Sequence, residues 1–208
     1  VFDISYLTPL PNIVLMAPKD LDEFEEMLHF SAKYQKGPIA IRYPRGALLR
    51  NTEITLSPWT DTKAPIELGK AEVLKEGSDV AFLSLGSMVF PALEAASLLE
   101  QEGIGCTVVN ARWAKPIDTD LIDQLAQRHR LLVTVEEGSK RGGFGSSVLE
   151  HFESVGNGKI RTLIFGLPDR FFEHGKRELL LDQAGLTSKK IAAQVKSELQ
   201  QASLFHSV

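Results

Sequence analysis

The sequence predicts an α/β protein in two parts: a β–α–β unit at the amino end, then an open, mostly parallel sheet with helices on both faces. Short apolar runs of strand length alternate with stretches of helical periodicity. Glycine and proline clusters, such as Gly37-Pro38, separate them. Internal repeats, low complexity and heptads are absent from the pattern, which leaves a single-copy globular architecture.

In chain order, NIVLMA (12–17) is an apolar strand closed by Pro18. Asp20 can cap the following helix, with Glu23 three residues on as its capping-box partner. Phe24, Met27, Leu28 and Ala32 recur at helical spacing, and Ile39 to Ile41 forms the next strand after Gly37-Pro38. A strand, a helix and a strand in this order imply a right-handed parallel crossover. Residues 47–62 are a polar, turn-rich connector. IELGKAEVLKEGSD reads as a two-strand ribbon turning near Glu76-Gly77. Strands are then expected at 80–85, 106–110, 131–135 and 160–165. Helices are expected at 91–102, 119–128, 145–152 and from Ser188 to about Ser203.

The composition belongs to an ordinary globular protein, 208 residues long with 43% hydrophobic and 24% charged residues. The formal charge of −4 speaks against a nucleic-acid surface and gives no pull toward anionic membranes. No apolar run approaches the ~18 residues needed to span a bilayer. Cys106 is the only cysteine, so neither a disulfide framework nor a thiolate metal cluster is expected, and a reducing compartment fits. VFDISYL carries neither an initiator Met nor a signal-peptide pattern and reads as an entrance in mid-domain. A piece of a longer protein is therefore expected.

IAIRYPRG (39–46) is the stretch that points to chemistry. Arg42 and Arg45 stand at the carboxyl end of an expected strand, where α/β proteins gather ligands, and a guanidinium fork suits phosphate or carboxylate. Strand alternation and the Pro44 kink send the two side chains different ways, so that one can hold structure and the other a ligand. Two surface or interface ion pairs are the plainer alternative.

EEGSKRGGFGSS (136–147) follows a strand and opens a helix, a place where backbone N–H groups can meet a phosphate. It lacks the G-x-G-x-x-G spacing, as does SLGSM (84–88). A dinucleotide site also calls for an acid where Asn110 or Ala111 stands. Tight helix–strand packing, or a subunit contact, explains the glycines better. Glu136 and Glu137 read as two solvated carboxylates, unless one steers a partner's arginine. The five histidines show no metal-ligand spacing. His174, in GLPDRFFEHG, suits helix termination or an interface hydrogen bond better than acid–base work. Cys106 reads as an inert core thiol.

Three stretches together carry a resemblance: VFDISYLTPLPNIVLMAPKDLDEFEEML, GPIAIRYPRG, and GLPDRFFEHG with LLDQAGLTSKKIA. They resemble the C-terminal portion of the 1-deoxy-D-xylulose-5-phosphate synthase family, which is transketolase-like and thiamine-diphosphate-dependent. The connecting pieces, including VVNARWAKPID and VEEGSKRGGFGSSVLE, agree with it.

The resemblance covers essentially the whole chain and implies a fold: the last β–α–β unit of a pyrimidine-binding domain (1–50), a linker (51–67) and a three-layer αβα transketolase C-terminal-type domain (68–208). It also implies condensation of pyruvate with D-glyceraldehyde 3-phosphate and loss of CO2, feeding non-mevalonate isoprenoid, thiamine and pyridoxal synthesis. Thiamine diphosphate and Mg²⁺ would be held by upstream residues, with no catalytic or metal-binding residue in this stretch. Arg45 would grip the substrate phosphate, Arg42 would support it from behind, and Val1, Phe2 and Asp3 would line the active-site wall. The N-terminal remainder of the same enzyme and a second copy in a homodimer are the implied partners, in a bacterial cytoplasm or a plastid stroma. The alternatives are a 2-oxo-acid dehydrogenase E1 β-type subunit, a non-catalytic dimerisation or regulatory module, and a nucleotide-binding Rossmann domain.

Overall fold

The computed structural model describes residues 1–44, 46, 50, 64–156 and 160–205, with side chains through Gln201. Arg45 and nearly all of the connector fall outside the described residues. The elements run α1 (Asp3–Leu7), β1 (Val14–Met16), α2 (Leu21–Lys33), β2 (Ile39–Ile41), β3 (Glu72–Lys75), β4 (Val80–Ser84), a 3-10 turn (Gly86–Met88) and α3 (Val89–Glu100). Then come β5 (Cys106–Asn110), β6 (Trp113–Lys115), α4 (Thr119–Arg128), β7 (Leu131–Ser139), α5 (Phe144–Val155), β8 (Arg161–Leu167), α6 (Arg177–Gln183) and α7 (Ser188–Phe205).

The main sheet has the order β3-β5-β4-β7-β8. The strands β5, β4, β7 and β8 are parallel, and β3 joins β5 antiparallel at the edge. Period-two alternation divides its side chains between two cores. Val80, Phe82, Val108, Val133 and Val135 meet Val89, Ala92 and Ala96 of α3 and Ile191 and Val195 of α7. Ala81, Leu83, Val109 and Leu132 meet Ile122 and Leu125 of α4 and Phe144, Val148 and Phe152 of α5. This is the three-layer αβα arrangement that the apolar runs imply, because a parallel sheet must be covered on both faces.

The 66–79 segment differs from the expected two-strand ribbon. β3 and β4 do not pair; both reach β5 instead. β4 is buried along its whole length and needs a neighbour on each side, whereas β3 alternates buried and half-buried like an edge strand. The turn between them is tied across to β5: Gly77 N–H donates to Thr107 Oγ1 at 2.9 Å and Asp79 N–H to Gly105 O at 2.9 Å.

A smaller sheet, β2-β1-β6, holds the first unit to the rest. β1 is parallel to β2, as the crossover predicts, and antiparallel to β6. Asp20 Oδ1 accepts from Glu23 N–H at 2.8 Å, the expected cap. Glu23 reaches back one residue further than a capping box requires, to Lys19 N–H at 2.7 Å. Met27 and Phe30 of α2 pack on Trp113 of β6, whereas Leu28 and Ala32 face outward. The apolar face is thus rotated from the sequence-based one, because β6 arrives from distant sequence.

A buried polar cluster completes the join. Arg112 Nε meets Glu23 Oε1 at 2.7 Å and Arg112 Nη2 meets Glu72 Oε2 at 3.0 Å. Asn110 Nδ2 donates to Glu23 Oε1 at 2.8 Å, and Lys19 Nζ lies 3.4–3.6 Å from carboxylates of Asp20, Glu23 and Glu72. Burial pushes the Glu23 carboxyl upward against the pull of Lys19 and Arg112. For Lys19, burial works to lower the pKa, but the three carboxylates carry it above its ordinary value.

Candidate functional site

The strand order turns about β4: β5 follows on one side, β7 and β8 on the other. In open α/β sheets the crevice at the carboxyl ends of such strands is where ligands settle. The residues beyond β4 and the end of β7 therefore frame the candidate site, and the first unit leans against it.

Beyond Val135 the β7–β8 register shifts, passing from Val135↔Phe165 to Ser139↔Leu167. Four steps on β7 match two on β8, a bulge that turns Glu136 and Glu137 to different partners. Neither is a solvated carboxylate, contrary to the sequence-based reading. Glu136 is fully buried, and its Oε2 and Oε1 accept from Phe144 N–H and Gly145 N–H at the start of α5, each at 2.9 Å. Burial raises its pKa to about 7, although the two N–H groups and Arg42 pull the other way. The group that accepts from this glycine-rich helix start is the chain's own side chain. A Cβ on Gly143 would lie 2.2 Å from Ser139 O and 2.5 Å from Glu136 Oε2, so the glycines make room for the carboxylate. Both phosphate-binding and dinucleotide readings of EEGSKRGGFGSS give way to this packing. Asn110, where a dinucleotide site would want an acid, belongs to the buried cluster.

Glu137 is held by Arg177 of α6. Arg177 Nε donates to Oε1 at 2.9 Å and to Oε2 at 3.1 Å, and Nη2 reaches Oε2 at 2.5 Å. Ser87 Oγ donates to Glu137 Oε2 at 3.1 Å and receives Arg177 Nη2 at 2.9 Å. On the other side, the Glu137 backbone carbonyl accepts from Arg42 Nη2. Arg42 Nε donates to Asp3 Oδ2 at 3.0 Å. Burial works against the Asp3 carboxylate, yet Arg42 and the Val1 amino group hold its pKa below the ordinary value. Arg42, with its side chain 12% exposed, is thus consumed by protein partners.

The structure brings Arg42, Phe2 and Asp3 together, while Arg45 lies outside the described residues. Phe2 is half exposed and stacks edge-on against Phe171, at 6.3 Å between ring centres. Both border a cleft of about 530 Å³ that Glu137, Arg170, His174 and Arg177 also line. Phe171 is 91% exposed, while Arg170 stacks on Phe172 at 4.8 Å. His174 sits exposed, three residues before Arg177 opens α6. Ser87 and Arg177 escaped the sequence reading, since no spacing relates them; the one local signal was the acidic doublet at the end of a strand. Cys106 is buried, and burial pushes its thiol up to about 12, as suits an inert core residue.

Among the described residues no group of three or more His, Cys, Asp or Glu side chains is arranged to hold a metal ion. The buried carboxylates Glu23 and Glu136 are committed to their own partners. The donor set on these residues does not suit a Mg²⁺–diphosphate group. No helix among the described residues is long and apolar enough to cross a membrane.

Comparison with known proteins adds the family. The profile "Transketolase, C-terminal domain" matches residues 69–191. The chain is 46% identical over 199 residues to a protein of Gloeobacter violaceus named 1-deoxy-D-xylulose-5-phosphate synthase, covering 96% of this chain and 30% of that protein. A protein of the same name from Thermomicrobium roseum is 47% identical over 193 residues, covering 93% of this chain and 30% of its own length. The chain therefore spans less than a third of the curated relatives it matches. Among solved structures, one titled "Split gene transketolase, inactive beta4 tetramer" superposes with a TM-score of 0.82 at 33% identity, covering 96% of this chain and 61% of that one. With more than half of its length inside the family profile and the three-layer sheet in place, the chain belongs to the transketolase C-terminal-domain family.

Proposed function

We propose that this chain is the C-terminal part of a 1-deoxy-D-xylulose-5-phosphate synthase, which condenses pyruvate with D-glyceraldehyde 3-phosphate and releases CO2. The observation that carries the reading is identity of 46% along 96% of the chain to a relative of that name. Residues 1–50 would close a pyrimidine-binding domain, 51–67 would link, and 68–208 would form the C-terminal domain. Thiamine diphosphate, which stabilises the carbanion left by decarboxylation, and Mg²⁺ would be held by the upstream portion of the same polypeptide. The parent would act as a homodimer in a bacterial cytoplasm or a plastid stroma, and the 208-residue chain alone would be inactive.

In this reading the two arginines of RYPRG divide the work. Arg42 is spent on Asp3 and Glu137, which supports giving the substrate phosphate to Arg45. A permanent cation with parallel donors suits a phosphate dianion, and distal phosphate binding orients the reacting aldehyde. Phe2 and Asp3 would support the wall of the same site.

In the parent polypeptide, Arg45→Ala should weaken use of glyceraldehyde 3-phosphate by roughly 30- to 1000-fold through lost charge-assisted hydrogen bonds. The KM for pyruvate should barely move. An equal loss for both substrates would make Arg45 a structural residue. Titrating the 208-residue chain with thiamine diphosphate by calorimetry should give no binding heat; clear binding would show that the residues judged essential upstream are not.

A further inference from the structure

The cleft beside α6 is incompletely covered. α6 reads RELLLDQ, yet none of its residues is buried, and Leu179 is 60% exposed. Leu180 and Leu181 are half-buried and line the cleft together with Leu167, Pro168, Phe2 and Phe171. A contiguous apolar surface of this kind marks a contact site, because its burial is favourable. The two guanidinium groups of the lining already have partners. Arg177 is held by Glu137 and Ser87, while Arg170 donates Nη2–H to Gln183 O at 3.1 Å and lies over the Phe172 ring. A small anion has to compete with those partners, whereas an apolar occupant does not. Position narrows the choice further: Val1 lines the same cleft, and its carbonyl accepts from Ser139 N–H at 3.0 Å. In a longer polypeptide, the residues before Val1 set out from the cleft wall.

We propose that this cleft seats the part of the parent polypeptide that leads into Val1, with apolar side chains laid against Phe171, Leu180 and Leu181. The proposal rests on the reading of this chain as the C-terminal part of a longer enzyme, and it locates the surface that the upstream portion covers. The length of chain outside the structure supports that occupant. The chain matches its relatives over 30% of their length, so most of such a polypeptide lies beyond these residues. A tethered segment also meets the cleft at the effective concentration that its attachment sets, so modest apolar contact suffices to hold it. Its seating bears on α1 as well, because Phe2 is the N-cap residue of that helix and stacks edge-on against Phe171.

Glu173→Cys adds one reactive thiol at the cleft, because Glu173 is exposed in its lining and Cys106 is buried. Its rate of labelling by a maleimide reagent is compared between the 208-residue chain and the parent polypeptide. The parent should label roughly tenfold more slowly, or slower still, and adding Phe171→Ala should bring its rate back to within about threefold of the short chain. Leu149→Cys, on α5 and outside the cleft lining, should label alike in both. In a second measurement the parent carries p-benzoylphenylalanine in place of Phe171. Irradiation should link it, within a single chain, to residues before Val1, and this arm carries the test if the short chain does not stay folded. Equal labelling of the two proteins, protection that Phe171→Ala leaves intact, a link joining two chains, or a link confined to residues 1–208 would overturn the proposal. If the intact mass of the native protein shows no residues before Val1, the reading of this chain as a C-terminal part falls and takes the proposal with it. A long polypeptide in which Glu173→Cys labels freely sinks the proposal alone.

Discussion

Glu136 and Gly143 occupy one small space: the carboxylate that closes the amino end of α5 lies where a side chain on Gly143 would begin, 2.5 Å from the position of its Cβ. A buried acid, a helix start and a glycine run are thus one feature, and its pH dependence follows from the burial.

The fold raises the Glu136 pKa to about 7 from an ordinary 4.5. Folding therefore favours the protonated acid. Its contribution to stability is complete below the ordinary value and is lost as the pH climbs to about 7, a loss on the order of 2–3 kcal/mol. Glu136→Gln cannot titrate, and its amide nitrogen cannot accept from the second N–H. It should be less stable at low pH and lose less stability than the wild type through this window. Denaturant midpoints measured from about pH 4.5 to 8 on both proteins check this; matching slopes would show that another group titrates.

Gly143→Ala and Gly156→Ala separate crowding from backbone strain. At Gly143 the added methyl meets backbone and carboxylate oxygens, and a destabilisation of roughly 2–4 kcal/mol is expected. Gly156 ends α5 with φ +69° and open space around it, so alanine there should cost only about 1 kcal/mol. Equal costs in chemical denaturation would remove the crowding argument.

Removing one partner from the buried cluster leaves charge behind. Arg112→Ala strips Glu23 and Glu72 of their guanidinium and should destabilise by about 3–5 kcal/mol. The exposed Arg141–Asp169 pair is the comparison: Arg141→Ala should change stability by less than about 1 kcal/mol. Urea unfolding of both variants decides it, and similar small effects would mean that water reaches the cluster.

Cys106 offers a chemical clock. With its thiol buried and its pKa pushed up to about 12, the native protein should not react with a thiol reagent near pH 8, whereas the denatured chain should yield one equivalent. Fast labelling of the native protein would show that β5 opens locally.

Apolar alternation was enough to read β4, β5, β7, β8 and the helices between them, since a parallel sheet covered on both faces writes itself into local sequence as short apolar runs joined by amphipathic helices. Asp20, with Glu23 three residues on, announced the start of α2 in the same way. The short elements were not legible: α1, β6 and α6 are stabilised by distant contacts, as when Trp113 of β6 sends Nε1–H to Lys70 O at 3.0 Å and packs on Phe30. The edge pairing of β3 with β5 was misread for the same reason, because strand partners are chosen across the fold.

At the site, residue type alone pointed to an anion near Arg42 and Arg45, and resemblance named it as a triose phosphate. Whether Arg42 is available for that work is a matter of neighbours far apart in sequence. Asp3 and the Glu137 carbonyl claim Arg42, and a guanidinium already desolvated onto two oxygens has little left to offer a ligand. The sequence by itself determined the αβα layers and the glycine-rich turn, because these follow from local periodicity and backbone sterics. Only the tertiary structure decided that the turn is filled by Glu136, that Arg177 holds Glu137, and that Arg42 serves the protein, since long-range ion pairs and buried hydrogen bonds leave no period in the chain.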